Sequence, residues 1–530
     1  MRIPTDLLVR LTLILPFHLH PKLILHSLIG IWYQTRITPI KGSTKHNTRT
    51  GLGPFADRLG ALAYALTPFT ILLSNRESVL SLVTGIPYQH FNFLHCWLGR
   101  IIFAQSLLHT IGWTIVEAKL YQPQPSVYVG FMSSQYIIFG VVAMFLITLM
   151  LVLSTETAIR WFGYEFFKVT HWIIAVLYIG ACWGHWDKLW CWMVPSLALM
   201  LIDQVARGCR TLYLHLGGRK GECTNYSPEI LRMILTTHPA AGFKCAEARI
   251  QILGPPDDQV IRLDFTHSHH APWQPGQHFH LCFPSLSIWQ SHPFTPSSLP
   301  NPSSKLQHHT YLVRVRKGQT AQLAALGHGA TVPVILTGPY GAALPSYGAQ
   351  NVLAVAGGTG VTFTLPIVLE TLRQQVGKRF AIDFVWAVRR ARDLAWLEKE
   401  VDELKAAVNE HANLRVKIFV TRERVLSAVV NNTDEKAVTS TLKEMESASS
   451  GTSSMSSEKS TQSRFSIASL GDHHPSVQEH LADFMERASI CGGAVEIVGS
   501  GPEAMGSDLR AAAAAVDTRE MFDCYWDSRD

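Results

Sequence analysis

The sequence predicts a membrane α-helical bundle of about six spans, then a small antiparallel β-barrel, then an α/β domain on a parallel sheet. Three observations carry this. The 530 residues are 47% hydrophobic and 16% charged, with a positive mean hydropathy; such a chain is too apolar to be wholly soluble and too long to be a bundle alone. Composition changes near Ala206: apolar runs dominate before it, whereas charge, proline and glycine return to globular frequency after it. In that second half, short alternating runs come first and apolar strands spaced by helical patterns follow.

Gly51 to Leu73, Phe93 to Val116, Gly130 to Leu153, Phe166 to Trp186 and Leu189 to Ala206 are each long enough, or nearly so, to cross a hydrocarbon layer. Residues 1–50 are a poorly defined N-terminal segment. Its apolar stretch from Leu7 to Trp32 carries Arg10, Lys22, Pro16 and Pro21. It reads as a broken first span, as a signal sequence lacking a small-residue cleavage site, or as the remnant of a longer start; counted as a span, it makes six. The net charge of +6 is scattered and forms no basic stripe, so no nucleic-acid partner is expected. Nine cysteines without a CxxC pair give neither a disulfide framework nor a zinc site.

Within the spans, His95 and His109, and again His171 and His185, stand fourteen residues apart. At a rise of about 1.5 Å per residue, each pair lies on one helix face with roughly 21 Å between partners. That places one histidine near each side of a layer about 30 Å thick. An imidazole in lipid is costly unless its ring nitrogens are used, and one spacing repeated on two helices suits two stacked haems clamped between them. A lone interior histidine is the alternative, and His18, His20, His26 and His90 are read that way. Arg100, five residues after His95, reads either as the partner of a haem propionate or as a snorkelling, backbone-paired arginine. Tyr178, midway between the two levels, reads first as a packing aromatic and second as an aid to electron passage between the sites.

In the soluble half, ARIQILG, VIRLDFT, HFHLCF, TYLVRVRK and VPVILTG between Cys245 and Tyr340 are the barrel strands. Among them stands His292-Pro293-Phe294-Thr295, a proline-fixed backbone followed by an aromatic and a hydroxyl, which suits a flavin edge. Arg314 and Lys317, ahead of Gly318 and Thr320, suit a diphosphate at a helix start. The run VLAVAGGTGVTFTLPIVLE then gives a strand, a turn of Gly357, Gly358, Thr359 and Gly360, and a helix, the order that lets backbone amides approach a dinucleotide phosphate. FAIDFVWAV follows at crossover distance and ends in Arg389 and Arg390, which suit a 2′-phosphate and favour NADPH over NADH. LRVKIFVTR and AVEIVGSGPEAM complete the sheet. Between them, about 436–476 is rich in Ser, Thr, Glu and Lys and is expected to be a disordered insertion.

Orientation sets two rules against each other. Arg36, Lys41, Lys45 and Arg49 before the second span ask for a cytosolic loop. A soluble half that draws its nucleotides from the cytosol puts the same loop outside by parity, and Arg160, Lys168, Arg207 and Arg210 agree with that second choice. Under it the third and fifth spans run parallel. His95 then lies level with His171, and His109 with His185, as an inner and an outer bis-histidine site.

GPFADRLGALA, LHCWLGRIIFAQSLLH, THWIIAVLYIGACWGH, HPFT, TGPYG, AGGTGV and GSGPEAM, in this order from about Gly51 onward, resemble the fungal ferric reductase (metalloreductase) family. These are relatives of the NADPH oxidases built on a ferredoxin–NADP reductase module. The resemblance implies a di-haem transmembrane domain over 51–210, an FAD-binding barrel over 235–345 and a Rossmann-like NADPH domain over 350–530. It implies two b-type haems on His95, His109, His171 and His185, FAD contacts at His292 to Thr295, and NADPH contacts at Gly338, Pro339, Tyr340, Gly341, Gly357 to Gly360 and Arg389.

Three departures from the family pattern stand out. Ser500, with Gly501 and Pro502, occupies the place of a Cys-Gly-Pro near the nicotinamide, so hydride transfer there is expected to be slower or differently tuned. The aromatic that ends the family and covers the flavin is here Trp526, with four residues beyond it. The N-terminal region is shorter than the family's, without an evident extracellular portion. The expected function is electron transfer from cytosolic NADPH through FAD and two haems to an extracytoplasmic ferric chelate, ferric siderophore or cupric ion, by an integral protein of the lipid bilayer, expected in the plasma membrane. Two alternatives remain: an oxidase that makes superoxide from dioxygen, and a catalytically weak haem protein with an assembly or regulatory role. Thirteen residues enclosed by both histidine pairs match the metalloreductases, since oxidases usually shorten the second pair by one. Oligomeric state is not legible.

Overall fold

The computed structural model describes residues 35–216, 243, 245–269, 272–344, 349–374, 380–423, 464–471, 473–516 and 522–528. It divides into two compact units, Met1–Cys209 and Arg210–Asp530. The apolar stretch from Leu7 to Trp32 lies outside the described residues.

The basic loop that follows is a two-stranded hairpin, Arg36–Pro39 against His46–Arg49. Five long helices come next: α1 (Leu52–Ser74), α2 (Asn92–Ile115), α3 (Gln135–Leu153), α4 (Tyr164–His185) and α5 (Trp190–Leu216). Among the described residues four helical stretches are long and apolar enough to cross a membrane: Tyr88–Leu120, Gln135–Leu153, Tyr164–His185 and Asp187–Leu216. The 23-residue α1 carries Asp57 and Arg58 and is not one of them, so of the five expected spans that fall among the described residues four qualify by length and composition. In α3, Ile138, Phe139, Val141, Val142 and Phe145 all point outward. A helix apolar on every side suits a lipid solvent, where the backbone must satisfy itself and the side chains need not. α1 pairs with α2, and α3 with α4. The first pair approaches closely because Gly112 meets Ala56, where an added Cβ would stand 2.9 Å from the alanine methyl.

The second unit holds two six-stranded sheets. The first is antiparallel, with β1 (Ala246–Leu253), β2 (Val260–Ser268), β3 (His278–Cys282), β4 (His292–Phe294), β5 (Leu306–Arg314) and, after the short helix α6 (Gln319–Ala325), β6 (Thr331–Tyr340). Its order is β4-β3-β6-β1-β2-β5. All five expected strands are present, and the short β4 is a sixth. Just past β4 the Ser297 amide donates to the Thr310 carbonyl of β5 at 2.8 Å, which draws the two sheet edges together. Alternation along β2 sends Ile261, Leu263 and Phe265 into a core shared with Tyr311, Phe279 and Leu336.

The second sheet is parallel throughout: β7 (Ala349–Gly357), β8 (Ile382–Val388), β9 (Leu414–Val420), β10 (Phe465–Ser469), β11 (Ala494–Gly501) and β12 (Phe522–Ser528). The order is β10-β9-β8-β7-β11-β12. Helices α7 (Val361–Gln374), α8 (Glu398–Glu410), α9 (Val477–Cys491) and α10 (Glu503–Ala514) connect the strands. β8 is buried at every position, as a strand covered on both faces must be. One expectation is corrected. The insertion expected over 436–476 ends sooner, because Phe465–Ser469 pairs with β9 and packs Phe465 and Ile467 against the sheet core; two apolar residues at period two are enough to dock an edge strand. Residues 436–463 lie outside the described part.

Candidate functional site

The four membrane histidines meet in the expected pairs. The rings of His95 and His171 are centred 6.1 Å apart with planes at 65°, and those of His109 and His185 are also 6.1 Å apart, at 85°. Helices α2 and α4 therefore run parallel in register. Each ring is oriented through Nδ1. His109 Nδ1 lies 2.7 Å from the Ala56 carbonyl, His95 Nδ1 2.8 Å from the Thr70 carbonyl, and His185 Nδ1 2.8 Å from the Tyr136 carbonyl. His171 Nδ1 lies 3.2 Å from the Ser154 hydroxyl. A carbonyl can only accept, so Nδ1 carries the proton and Nε2 keeps its lone pair.

Nothing in the sequence reading named these acceptors, yet they follow one rule. Ala56 and Thr70 on α1 are fourteen residues apart, as are Tyr136 and Met150 on α3, so each outer helix repeats the histidine spacing in the opposite direction. Four residues after Ala56 and after Tyr136 stand Gly60 and Gly140. A Cβ at Gly60 would sit 2.8 Å from His109 Nδ1, and one at Gly140 would sit 2.6 Å from His185 Nδ1. The missing side chains let the imidazoles reach a backbone carbonyl, and two glycines inside apolar helices were the available signal. Between the outer pair opens a cavity of about 720 Å³, lined by Gly60, Tyr64, His109, Gly140, Tyr178 and His185 among others. Tyr178 is buried, and Tyr64 donates to the Cys182 carbonyl at 2.6 Å.

A bis-imidazole metal fits this arrangement. A metal–nitrogen bond of about 2 Å on each side, plus half of each ring, gives a centre separation of about 6 Å, which both pairs show. Arg100 is exposed, and its guanidinium lies 5.2 Å above the Trp97 ring.

In the second unit the residues expected at the flavin sit on the antiparallel sheet. His292, Pro293 and Phe294 form β4, paired with Leu281, His280 and Phe279, and Thr295 behind them is buried. Gly338 to Gly341 close β6 beside β3, with His278 opposite Tyr340. They thus share the sheet of the flavin candidates. Gly341 has a φ of +95° and passes His278 where an added Cβ would come within 3.2 Å of its Nδ1, so glycine is required there. Lys317 is exposed ahead of α6. Arg314, at the end of β5, donates to Asp258 at 2.6 Å and stacks over Trp396; its guanidinium would lie 3.5 Å from a Cβ on Gly358. Burial pushes its pKa down, and the neighbouring Asp258 acts against that shift.

Gly357 to Gly360 end β7 and open α7, at the point where the strand order turns from β8 on one side to β11 on the other. Such switch points form crevices at the carboxyl ends of parallel strands. Ser500, Gly501 and Pro502 close the crevice from β11. A Cβ on Gly360 would overlap the Ser500 carbonyl, and one on Gly357 would sit 2.7 Å from Pro502 Cδ, so the two turns touch backbone to backbone. Trp386 donates to the Gly358 carbonyl at 3.0 Å and fixes the turn. Arg389 stands at the end of β8, half-exposed and 3.6 Å from Asp258, so Asp258 answers both Arg314 and Arg389.

Ser500 is fully buried and its hydroxyl donates to Asp527 at 3.3 Å. Trp526 does not stand over the antiparallel sheet. It lies across Gly499 and Gly506, between β11 and α10. Neighbours on a strand face opposite ways, and Tyr525 is the residue that faces α7, its ring stacked 5.6 Å from Phe363.

Three stretches of the chain match family models in the order the fold presents them. Residues 59–182 match a ferric reductase like transmembrane component, 242–344 an FAD-binding domain, and 349–514 a ferric reductase NAD binding domain. Ferric reductase transmembrane component 5 of Saccharomyces cerevisiae is 28% identical over 72% of this chain and 50% of its own length. Ferric/cupric reductase transmembrane component 2 of the same yeast is 27% identical over 69% and 47%. A probable cell surface ferric reductase of Aspergillus oryzae is 27% identical over 66% and 46%. The chain spans about half the length of the curated relatives it matches. A ferredoxin NADP+ reductase from Neisseria gonorrhoeae with bound FAD and NADP aligns with 53% of this chain and 98% of its own, at 14% identity and a TM-score of 0.32.

Proposed function

We infer, from a chain that matches these three family models in order, a transmembrane metalloreductase that moves electrons from NADPH through FAD and two b-type haems to a ferric chelate, ferric siderophore or cupric ion. The observation that carries this reading is the pair of imidazole pairs, each 6.1 Å across with Nδ1 engaged. When bound, the flavin supplies the change from a two-electron hydride donor to one-electron haem acceptors.

The residues have distinct tasks in this scheme. The Gly357 to Gly360 turn admits the dinucleotide phosphates to the start of α7. Arg389 meets the 2′-phosphate, Arg314 the flavin diphosphate, and Thr295 the flavin edge. Ser500 lines the nicotinamide crevice with its hydroxyl held by Asp527. His95 with His171, and His109 with His185, would hold the two irons, with Nε2 the ring nitrogen left available. An iron held by two histidines would have no open position, so it would supply outer-sphere transfer to the acceptor rather than bind it. We place the soluble half in the cytosol, the outer pair towards the opposite side of the plasma membrane, and a first span in the Leu7–Trp32 stretch, with the antiparallel sheet closed as a barrel around its core.

Reduced-minus-oxidised spectra on adding NADPH to the purified protein test this directly: both haems reduce. Intact cells expressing it reduce a ferric chelate without a matching rise in superoxide. Haems that stay oxidised would remove the enzyme reading, and superoxide in place of ferrous iron would make the protein an oxidase.

A further inference from the structure

Three of the four membrane histidines hand their Nδ1 proton to a backbone carbonyl, and the fourth does not. The exception arises at a position that the helix repeat fixes. Each ring approaches a carbonyl on α1 or α3, and the residue four positions later faces the ring. For His109 and His185 that residue is Gly60 or Gly140. For His171 the carbonyl at the repeat position belongs to Met150, and four residues later stands Ser154. The Ser154 hydroxyl donates to the Met150 carbonyl at 2.6 Å and lies 3.2 Å from His171 Nδ1. Its single proton is committed to Met150, so towards His171 it can only accept. The hydroxyl has therefore taken the carbonyl for itself and stands in its place as partner of the ring. At the other inner position Ser74 follows Thr70 by four, but its hydroxyl turns to the Ile71 carbonyl at 2.8 Å and leaves Thr70 to His95.

We propose that Ser154 is a positioning residue that makes His171 the weakest electron donor of the four and thereby raises the reduction potential of the inner haem. This rests on the haem ligation proposed above. An imidazole whose Nδ1–H is drawn towards a strong acceptor gains imidazolate character, gives more density to its metal and favours the oxidised ion; a weaker acceptor does the reverse. A hydroxyl at 3.2 Å draws less than a carbonyl at 2.7 or 2.8 Å. The inner iron thus has one fully supported ligand, His95, and one weakly supported ligand. The outer iron has two fully supported ones. The consequence is a more favourable step onto the inner site, the first that an electron reaches from the flavin side.

Three substitutions at this position separate tuning from packing. Ser154→Gly reproduces the Gly140 arrangement on the same helix pair and opens the Met150 carbonyl to His171; glycine is well accepted here, since Ser154 ends α3. Ser154→Val keeps the bulk over the carbonyl and removes the acceptor. Ser154→Thr keeps the hydroxyl. Potentiometry of the full-length protein, followed by haem absorbance, is expected to show a lower inner potential for Ser154→Gly, a higher one for Ser154→Val and an unchanged one for Ser154→Thr, with the outer potential constant throughout. Shifts of the same sign for Gly and Val, or none in either, with both haems bound, would overturn the role of Ser154 and leave the ligands standing. A wild-type protein without haem absorbance would overturn both.

Discussion

Gly140 and His185 touch so closely that no other residue fits at 140: an added Cβ would stand 2.6 Å from Nδ1 of the ring. Gly60 and His109 repeat the relationship at 2.8 Å. Each glycine lies one helical turn past the carbonyl that orients its histidine, so ring position and ring orientation depend on the same small residue. Gly140→Ala is therefore expected to push His185 off the Tyr136 carbonyl and out of line with His109. Haem content should fall from two per chain to one, read by pyridine haemochrome absorbance, with the inner site retained. Two haems of unchanged spectrum in this variant would contradict the geometry.

His109→Ala is expected to stop ferric-chelate reduction while leaving flavin reduction by NADPH intact, because the nucleotide crevice is built wholly from the second unit. Stopped-flow bleaching of the flavin beside whole-cell iron reduction reads the two steps separately. Iron reduction at the wild-type rate would show that electrons leave before the outer pair.

Much of this site was legible because it follows a period. The fourteen-residue spacing announced both pairs and their level, and glycine turns after apolar strands announced the crevice. What escaped was whatever depends on backbone meeting side chain across elements. The acceptor carbonyls of Ala56, Thr70 and Tyr136 leave no mark in residue type, and only the glycines beside two of them do. Strand parity, set by the pairing of β12 with β11, decides that Tyr525 and not Trp526 faces α7, and residue type alone does not show it. β10 was hidden by the polar sequence that precedes it.

Gly360→Ala tests the contact between the two nucleotide turns. Its methyl would overlap the Ser500 carbonyl, which belongs to a central strand and cannot retreat as a flexible side chain would. Overpacking of this kind costs about 1–3 kcal/mol, so a drop of several degrees in Tm is expected, together with loss of NADPH-dependent flavin reduction. Full activity and an unchanged melting curve would show that the turns stand further apart than described.

Asp264 ties the antiparallel sheet to the nucleotide domain through Arg262, whose guanidinium also donates to Glu400 at 3.0 Å and to the Trp396 carbonyl at 3.0 Å. Burial alone would raise the Asp264 pKa, but hydrogen bonds from His308 and Thr310 and the Arg262 charge outweigh it and hold it below the usual carboxylate range. A depressed carboxylate stabilises the fold above its unfolded pKa of about 3.9 and loses that contribution as pH falls through the lower folded value. Asp264→Asn should cost about 1–2 kcal/mol at neutral pH. Its stability curve and that of the wild type should converge in acid. A constant gap at all pH values would mean that packing, not charge, is lost.

Arg389 and Arg314 converge on the Asp258 carboxylate, 3.6 and 2.6 Å away, at the mouth of the crevice. A carboxylate between two guanidinium groups occupies ground that a phosphate would take, and a 2′-phosphate has to compete for Arg389 before it can be held. Arg389 is the outer of the two, half-exposed and with the longer contact, so it is the one free to turn towards the nucleotide. Arg389→Ser is expected to raise the KM for NADPH about tenfold to a hundredfold, the worth of one or two charge-assisted hydrogen bonds, with little change for NADH. Asp258→Asn should act the other way, releasing Arg389 and lowering the KM for NADPH. Because Arg314 is the more buried and more tightly held partner, that gain should come with some loss of FAD retention, measured as flavin released on gel filtration. Equal effects of Arg389→Ser on both nucleotides would move the 2′-phosphate contact to another residue and leave Arg389 a partner of Asp258 alone.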